Sequence, residues 1–157
     1  GNAELVQLRR HYEAPELKRF LADESVLKIF HFARFDMAVL KHSFGVMPRP
    51  VYCTKIASRL ARTFTDRHGL KDLAKELLGI ELSKQQQSSD WGADQLTPEQ
   101  LNYAASDVLH LHALREKLEA MLVREGREGL ARACFAFLPT RVELDLQGWS
   151  EIDPFAH

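Results

Sequence analysis

"LNYAASDVLHLH", residues Leu101 to His112, places an acid inside an apolar stripe. Read at helical spacing, Ala104, Asp107, Leu111, Leu114, Leu118 and Leu122 share one face, the i, i+3, i+4, i+7 pattern of a helix turned toward a core. Tyr103 stands one turn before Asp107, on nearly the same side. Just upstream, "TPEQ" is a helix start: Thr97 suits the N-cap, Pro98 the first helical position, and Gln100 can reach back to complete a capping box.

The same anomaly occurs in "FHFARFDMAVLKHSFG", residues Phe30 to Gly45. Here Phe32, Phe35, Asp36, Val39 and Leu40 form a second stripe, which predicts Asp36 on the core side of its helix. Burying an unpaired carboxylate costs on the order of several kcal/mol, so each acid must be neutralised, hydrogen-bonded, ion-paired or bound to a cation. One reading pairs each Asp with a buried arginine or makes it a cap for a neighbouring helix. The other brings the two acids together as a metal site. Convergent carboxylates with few other ligands suit Mg2+ or Mn2+, which take oxygen ligands and leave room for substrate phosphates.

Around these two segments the pattern is α/β. Strands are expected at Glu4–Leu8, Val26–Phe30 and Val51–Tyr52. Helices are expected over Glu16–Ala22, Ala33–Phe44, Thr54–Arg62 and Leu70–Leu78, and another through "LARACFAFL" that stops at Pro139 and is followed by a further helix before the tail. Two or three strands are few for so many helices, which points to a sheet only partly contained in the chain.

Size and composition fit one globular domain over residues 1–157: 45% hydrophobic, 27% charged, net charge −1. That balance argues against a broad cationic surface gripping a long duplex and favours a short nucleic acid held locally, if nucleic acid is the substrate. Cys53 and Cys134 lack metal-binding spacing and read as buried thiols of a reducing compartment, giving an expectation of a cytoplasmic protein. No apolar run reaches membrane-spanning length.

"HFARFDMAVL" and "YAASDVLHL" resemble the second and third motifs of the DEDD exonucleases, RNase D branch. The tyrosine four residues before the last Asp is the mark of the DEDDy type. "SSDWGADQLTPEQLNYAASDV" is similar to the RNase D segment before the last motif helix. "KIFHFARFDMAVL", "VYCTKIASRLARTFTDRHGLKDL", "SKQQQSSDW" and "FLPTRVELDLQGWSEIDPFAH" resemble the nanoRNase C group of that family, so the likeness runs along essentially the whole chain.

The resemblance implies an RNase H-like fold and removal of nucleotides from RNA 3′ ends. For the nanoRNase C group it implies very short substrates, down to dinucleotides, and a ring-like homo-oligomer. It also implies four carboxylates holding two divalent ions, Mg2+ or Mn2+, with Asp36 and Asp107 as two of the four and Tyr103 orienting the attacking water. The other two carboxylates belong to an Asp-x-Glu motif on the family's first strand. No aspartate here is followed two residues later by glutamate, so the expectation is an N-terminally incomplete domain carrying half of the site.

Further candidates are substrate contacts: His31 ahead of the Asp36 helix, Lys55, and the polar run holding Gln86, Ser88 and Ser89, able to donate to phosphate or ribose. Each also has a plainer reading, as a satisfied structural histidine, a solvated charge or a polar loop anchored by Trp91. Trp149, Ile152 and Phe155 in the tail would either fold back on their own domain or dock on a neighbouring subunit. The competing class for the whole chain is a catalytically inactive RNase H-like module that binds nucleotides or partners.

Overall fold

Two short parallel strands form the floor on which the helices pack. A computed structural model describes residues 14–82, 90 and 95–157, the side chains of Ser106 and Asp107 excepted. Strand β1 (Lys28–Phe30) pairs with β2 (Val51–Cys53) in the register Lys28↔Val51, Ile29↔Tyr52, Phe30↔Cys53. These are the only strands among the described residues, and the expected strand at Glu4–Leu8 lies outside them.

Before β1 comes α1 (Pro15–Ala22), opened by Pro15 as its composition suggests. Between the strands runs α2 (Ala33–Phe44), which ends at Gly45 with φ 73°, the left-handed conformation a glycine adopts without strain. After β2 follow α3 (Thr54–Ala61) and α4 (Leu70–Leu73), whose last turn widens into a π-type segment, Ala74–Leu78. Arg62, almost wholly buried, fixes the loop between α3 and α4. It donates to Ser58 Oγ at 3.0 Å and to the Arg67 carbonyl at 2.9 Å, and pairs with Glu76.

The second half is helical: α5 (Pro98–Leu109), α6 (Leu111–Glu125) and α7 (Glu128–Leu144). The capping box forms as the sequence suggests. Thr97 Oγ1 accepts from the Gln100 amide at 3.1 Å, and Gln100 Oε1 accepts from the Thr97 amide at 2.8 Å. The long stripe of the opening segment is divided at His110, where φ −96° and ψ −3° end one helix and start the next. Its α6 half behaves as expected: Leu111, Leu114, Leu118 and Leu122 are buried, and they join Ala57, Ala61, Leu73 and Phe135 in one core cluster.

Three expectations change. The helix through "LARACFAFL" does not stop at Pro139 but continues to Leu144. A proline inside a helix forfeits one backbone hydrogen bond, but Phe135 and Leu138 before it and Val142 after it are all buried, so packing on both flanks holds the helix together. Cys134 is exposed rather than buried, because it falls off the inward stripe of Ala131, Phe135, Leu138 and Val142; Cys53 is buried as expected. The third change concerns α2. Its inward residues are Ala33, Met37 and Phe44, whereas Phe32, Phe35 and Val39 are exposed. The stripe read as core is therefore a surface, and it carries Asp36 beside it.

The tail folds back along α7. Arg141 donates to the Trp149 and Ile152 carbonyls, and the Phe155 ring meets Phe137 with centroids 5.8 Å apart. Trp149, Ile152 and Phe155 nevertheless keep much of their apolar surface exposed.

Candidate active site

Residues that follow parallel strands gather at the strands' C-terminal ends, the usual place for ligands in open α/β sheets. Here those residues are His31 and Phe32 after β1, and Thr54 and Lys55 after β2. Pairing Phe30 with Cys53 sets the two groups side by side. His31 Nδ1 lies 2.9 Å from Thr54 Oγ1, and that hydroxyl lies 3.2 Å from the Phe30 carbonyl. Thr54 has one hydroxyl proton, and the carbonyl can only accept, so the proton goes there. His31 Nδ1–H then donates to Thr54, which leaves Nε2 as an acceptor. Burial, helped by the Lys55 charge, pushes the His31 pKa down to about 4 and keeps the ring neutral at physiological pH.

Phe32 is held at φ 67°, ψ 54° as the N-cap of α2. A left-handed conformation is costly for a bulky side chain, of order 1–3 kcal/mol, and such strain clusters at functional sites. It turns the Phe32 ring outward, where it stacks on Phe35 with centroids 6.2 Å apart and lies 4.3 Å beneath the Lys55 ammonium. From sequence, Phe32 and Phe35 read most simply as core, with an aromatic edge for a stacked base as the alternative; the exposed platform favours the alternative, and its backbone strain has no local sequence signal.

Asp36 sits one turn into α2 from that platform. It is half-buried, and among the described residues it has no hydrogen-bond or ion-pair partner. Desolvation pushes its carboxyl pKa up to about 6. A partly desolvated carboxylate with no counter-charge among the described residues is suited to a cation, and a buried arginine partner for Asp36 is absent among these residues.

The other predicted positions are placed less completely. Tyr103 is half-buried on α5, and Asp107 stands one turn later on the same helix, its side chain outside the described residues. Gln86, Ser88 and Ser89 also lie outside them. Among the described residues no three His, Cys, Asp or Glu side chains cluster as metal ligands. Asp36 therefore fits one cation ligand, with the complement to come from elsewhere. His68 serves the fold: its Nδ1 is 2.7 Å from the buried Ser58 hydroxyl.

An α/β fold with an unpartnered, partly desolvated carboxylate near its C-terminal strand ends fits a cation-dependent enzyme, and comparison with known proteins gives the family. The profile described as 3′-5′ exonuclease matches residues 2–123, and the chain belongs to that family, with an RNase H-like fold of the RNase D type close to nanoRNase C. Ribonuclease D of Granulibacter bethesdensis is 38% identical over 119 residues, which is 73% of this chain and 30% of the relative. Brucella melitensis NrnC bound to pGG superimposes with TM-score 0.89 at 61% identity, covering 94% of this chain and 72% of that one. The same protein with bound Mg2+ gives TM-score 0.88 at 61% identity, covering 92% and 70%. The chain spans about a third of the length of the ribonuclease D relatives it matches.

Proposed function

We propose that the protein acts as a 3′–5′ exoribonuclease on short RNA, down to dinucleotides, hydrolysing the terminal phosphodiester to release nucleoside monophosphates. The observation that carries this reading is Asp36, a desolvated carboxylate without a counter-charge among the described residues, set beside an aromatic and cationic platform. Family membership supplies the reaction class, and the Mg2+ and pGG bound by Brucella melitensis NrnC support the cofactor and a short substrate.

When bound, divalent cations stabilise charge on the attacking and leaving oxygens of an in-line displacement. Asp36 and Asp107 would be ligands, and a complete site needs further carboxylates beyond these two. Tyr103 orients the water. A phenol of ordinary pKa ≈ 10 is a poor base at neutral pH, so its contribution is positioning. Lys55 places positive charge over the Phe32 ring, where a base stacked on the aromatic face would bring its phosphate within reach. His31, neutral with Nε2 as acceptor, suits a sugar hydroxyl better than a phosphate. Gln86, Ser88 and Ser89 are the proposed donors to phosphate or ribose. The exposed apolar tail is consistent with assembly into a homo-oligomeric ring.

The test is product analysis of a 5′-labelled RNA ladder with the native protein, with and without Mn2+. Stepwise shortening from the 3′ end that stops on chelation is the expected result. RNA binding that is indifferent to Mn2+ and yields no product would instead make the protein a non-catalytic binding module.

A further inference from the structure

A cavity lies at the other end of the strands, away from Asp36. Leu27 and Pro50, the residues just before β1 and β2, form its rim, and α6 and α7 wall it. Its volume of about 440 Å3 is that of a small-molecule site. Three arginines line it, Arg49, Arg115 and Arg132, against one acid, Glu119. Among the described residues none of the three arginines makes an ion pair.

One buried polar atom in the lining, Arg115 Nε, has no acceptor among the described residues, and the Tyr52 hydroxyl has only the nearby Glu119 carboxylate, without a well-formed hydrogen bond to it. Tyr52 is only 4% exposed. Its ring packs on Phe135 with centroids 4.6 Å apart, and the Arg115 guanidinium covers it at 5.4 Å. Burial, and then hydrogen bonding toward the nearby Glu119 carboxylate and its charge, hold the phenol protonated well past its ordinary range, so it remains a donor that a bound anion would share with Glu119. A buried donor left without an acceptor, as Arg115 Nε is, is costly and calls for an explanation, a bound acceptor being one.

We infer that this cavity binds a small organic anion, a phosphate or carboxylate group carried on an apolar, ring-sized body. The head group would accept from Arg115 Nε and the Tyr52 hydroxyl, with Arg49 and Arg132 supplying further charge at the mouth, where both are exposed. The body would rest against Phe135 and the flanking prolines Pro50 and Pro139. Glu119 opposes the anion and sets a limit on its affinity. The inference does not depend on the exonuclease reading, since no residue of the Asp36 corner takes part.

The experiment is titration of the native protein in EDTA with phenyl phosphate, benzoate and benzyl alcohol, read by 1H–15N spectra of the arginine Nε–H groups. The expected result is a saturable shift of the Arg115 Nε–H signal with one or both anions and none with benzyl alcohol. The stronger anion identifies the head group. Replacing both mouth residues, Arg49→Gln with Arg132→Gln, should weaken binding roughly tenfold or more while the rest of the spectrum stays in place. Glu119→Gln should tighten it, and Asp36→Asn should leave it unchanged. No saturable shift, an equal response to benzyl alcohol, or full affinity in the double arginine variant would overturn the site.

Discussion

Asp36 and His31 face opposite titration problems in one corner of the fold. Asp36 has its pKa raised from 3.8 to about 6, so its protonated form suits the fold. That favourable contribution is full below pH 3.8 and is lost as pH rises through about 6. His31 has its pKa lowered from 6.5 to about 4, so its neutral form suits the fold. Its contribution is full above pH 6.5 and is lost as pH falls through about 4. Between those limits the two slopes oppose each other. Without metal, Asp36→Asn should therefore make stability climb more steeply from pH 4 to 6.5 than in the wild type, and His31→Gln should tilt it the other way; urea unfolding across that range in EDTA measures both. At pH 7.5 Asp36→Asn should stabilise the metal-free protein by about 1–2 kcal/mol, the order expected for relieving a partly screened desolvated charge. A destabilised Asp36→Asn protein would mean that the carboxylate has a structural partner after all. At the same scale, Tyr103→Phe should lower kcat with little change in KM, as expected of a residue that positions the water without binding substrate.

At the scale of elements, α5 carries Tyr103 and Asp107, and its first turn is set by the Thr97–Gln100 capping box. Thr97→Ala should cost about 1 kcal/mol and speed hydrogen exchange at the Gln100 amide before the α6 amides respond. Leu118→Ala, in the fully buried face of α6, should cost about 2–5 kcal/mol in chemical denaturation and affect the whole fold together. The capping box, the span of α2 and the inward leucines of α6 were all legible in the sequence, because each rests on local chemistry or on one clear apolar face. The orientation of α2 was not. Its sequence has apolar residues on two faces, and period alone does not say whether Phe32, Phe35 and Val39 meet the core or a ligand. The deciding fact is the left-handed backbone at Phe32, which no local pattern signals. Pro139 misled for a related reason: a local rule against proline yields when burial on both sides holds a helix together.

At the scale of the molecule, the parallel pair β1–β2 sets the arrangement: reactive side chains at the C-terminal strand ends and the arginine-lined cavity at the other. Asp36 and Asp107 stood out in the sequence because an ionisable group beside apolar neighbours needs a reason, and the tyrosine spacing tied that segment to one family; the Asp107 side chain lies outside the described residues. The anion cavity was not legible in the sequence, since Arg49, Tyr52, Arg115 and Arg132 are scattered in sequence and converge only through the packing of β2, α6 and α7. The proposed function makes Asp36 and Asp107 ligands in a metal-dependent hydrolysis of short RNA. The most direct measurement is the release of mononucleotide from pGG with Mn2+ by the native protein and its Asp107→Asn variant, each with its folding checked by thermal melt. GMP formation by the wild type and a fall of at least about a thousandfold in the variant are expected, the scale for loss of a metal-centred transition-state contact. Comparable turnover by the folded Asp107→Asn protein would contradict the proposed function.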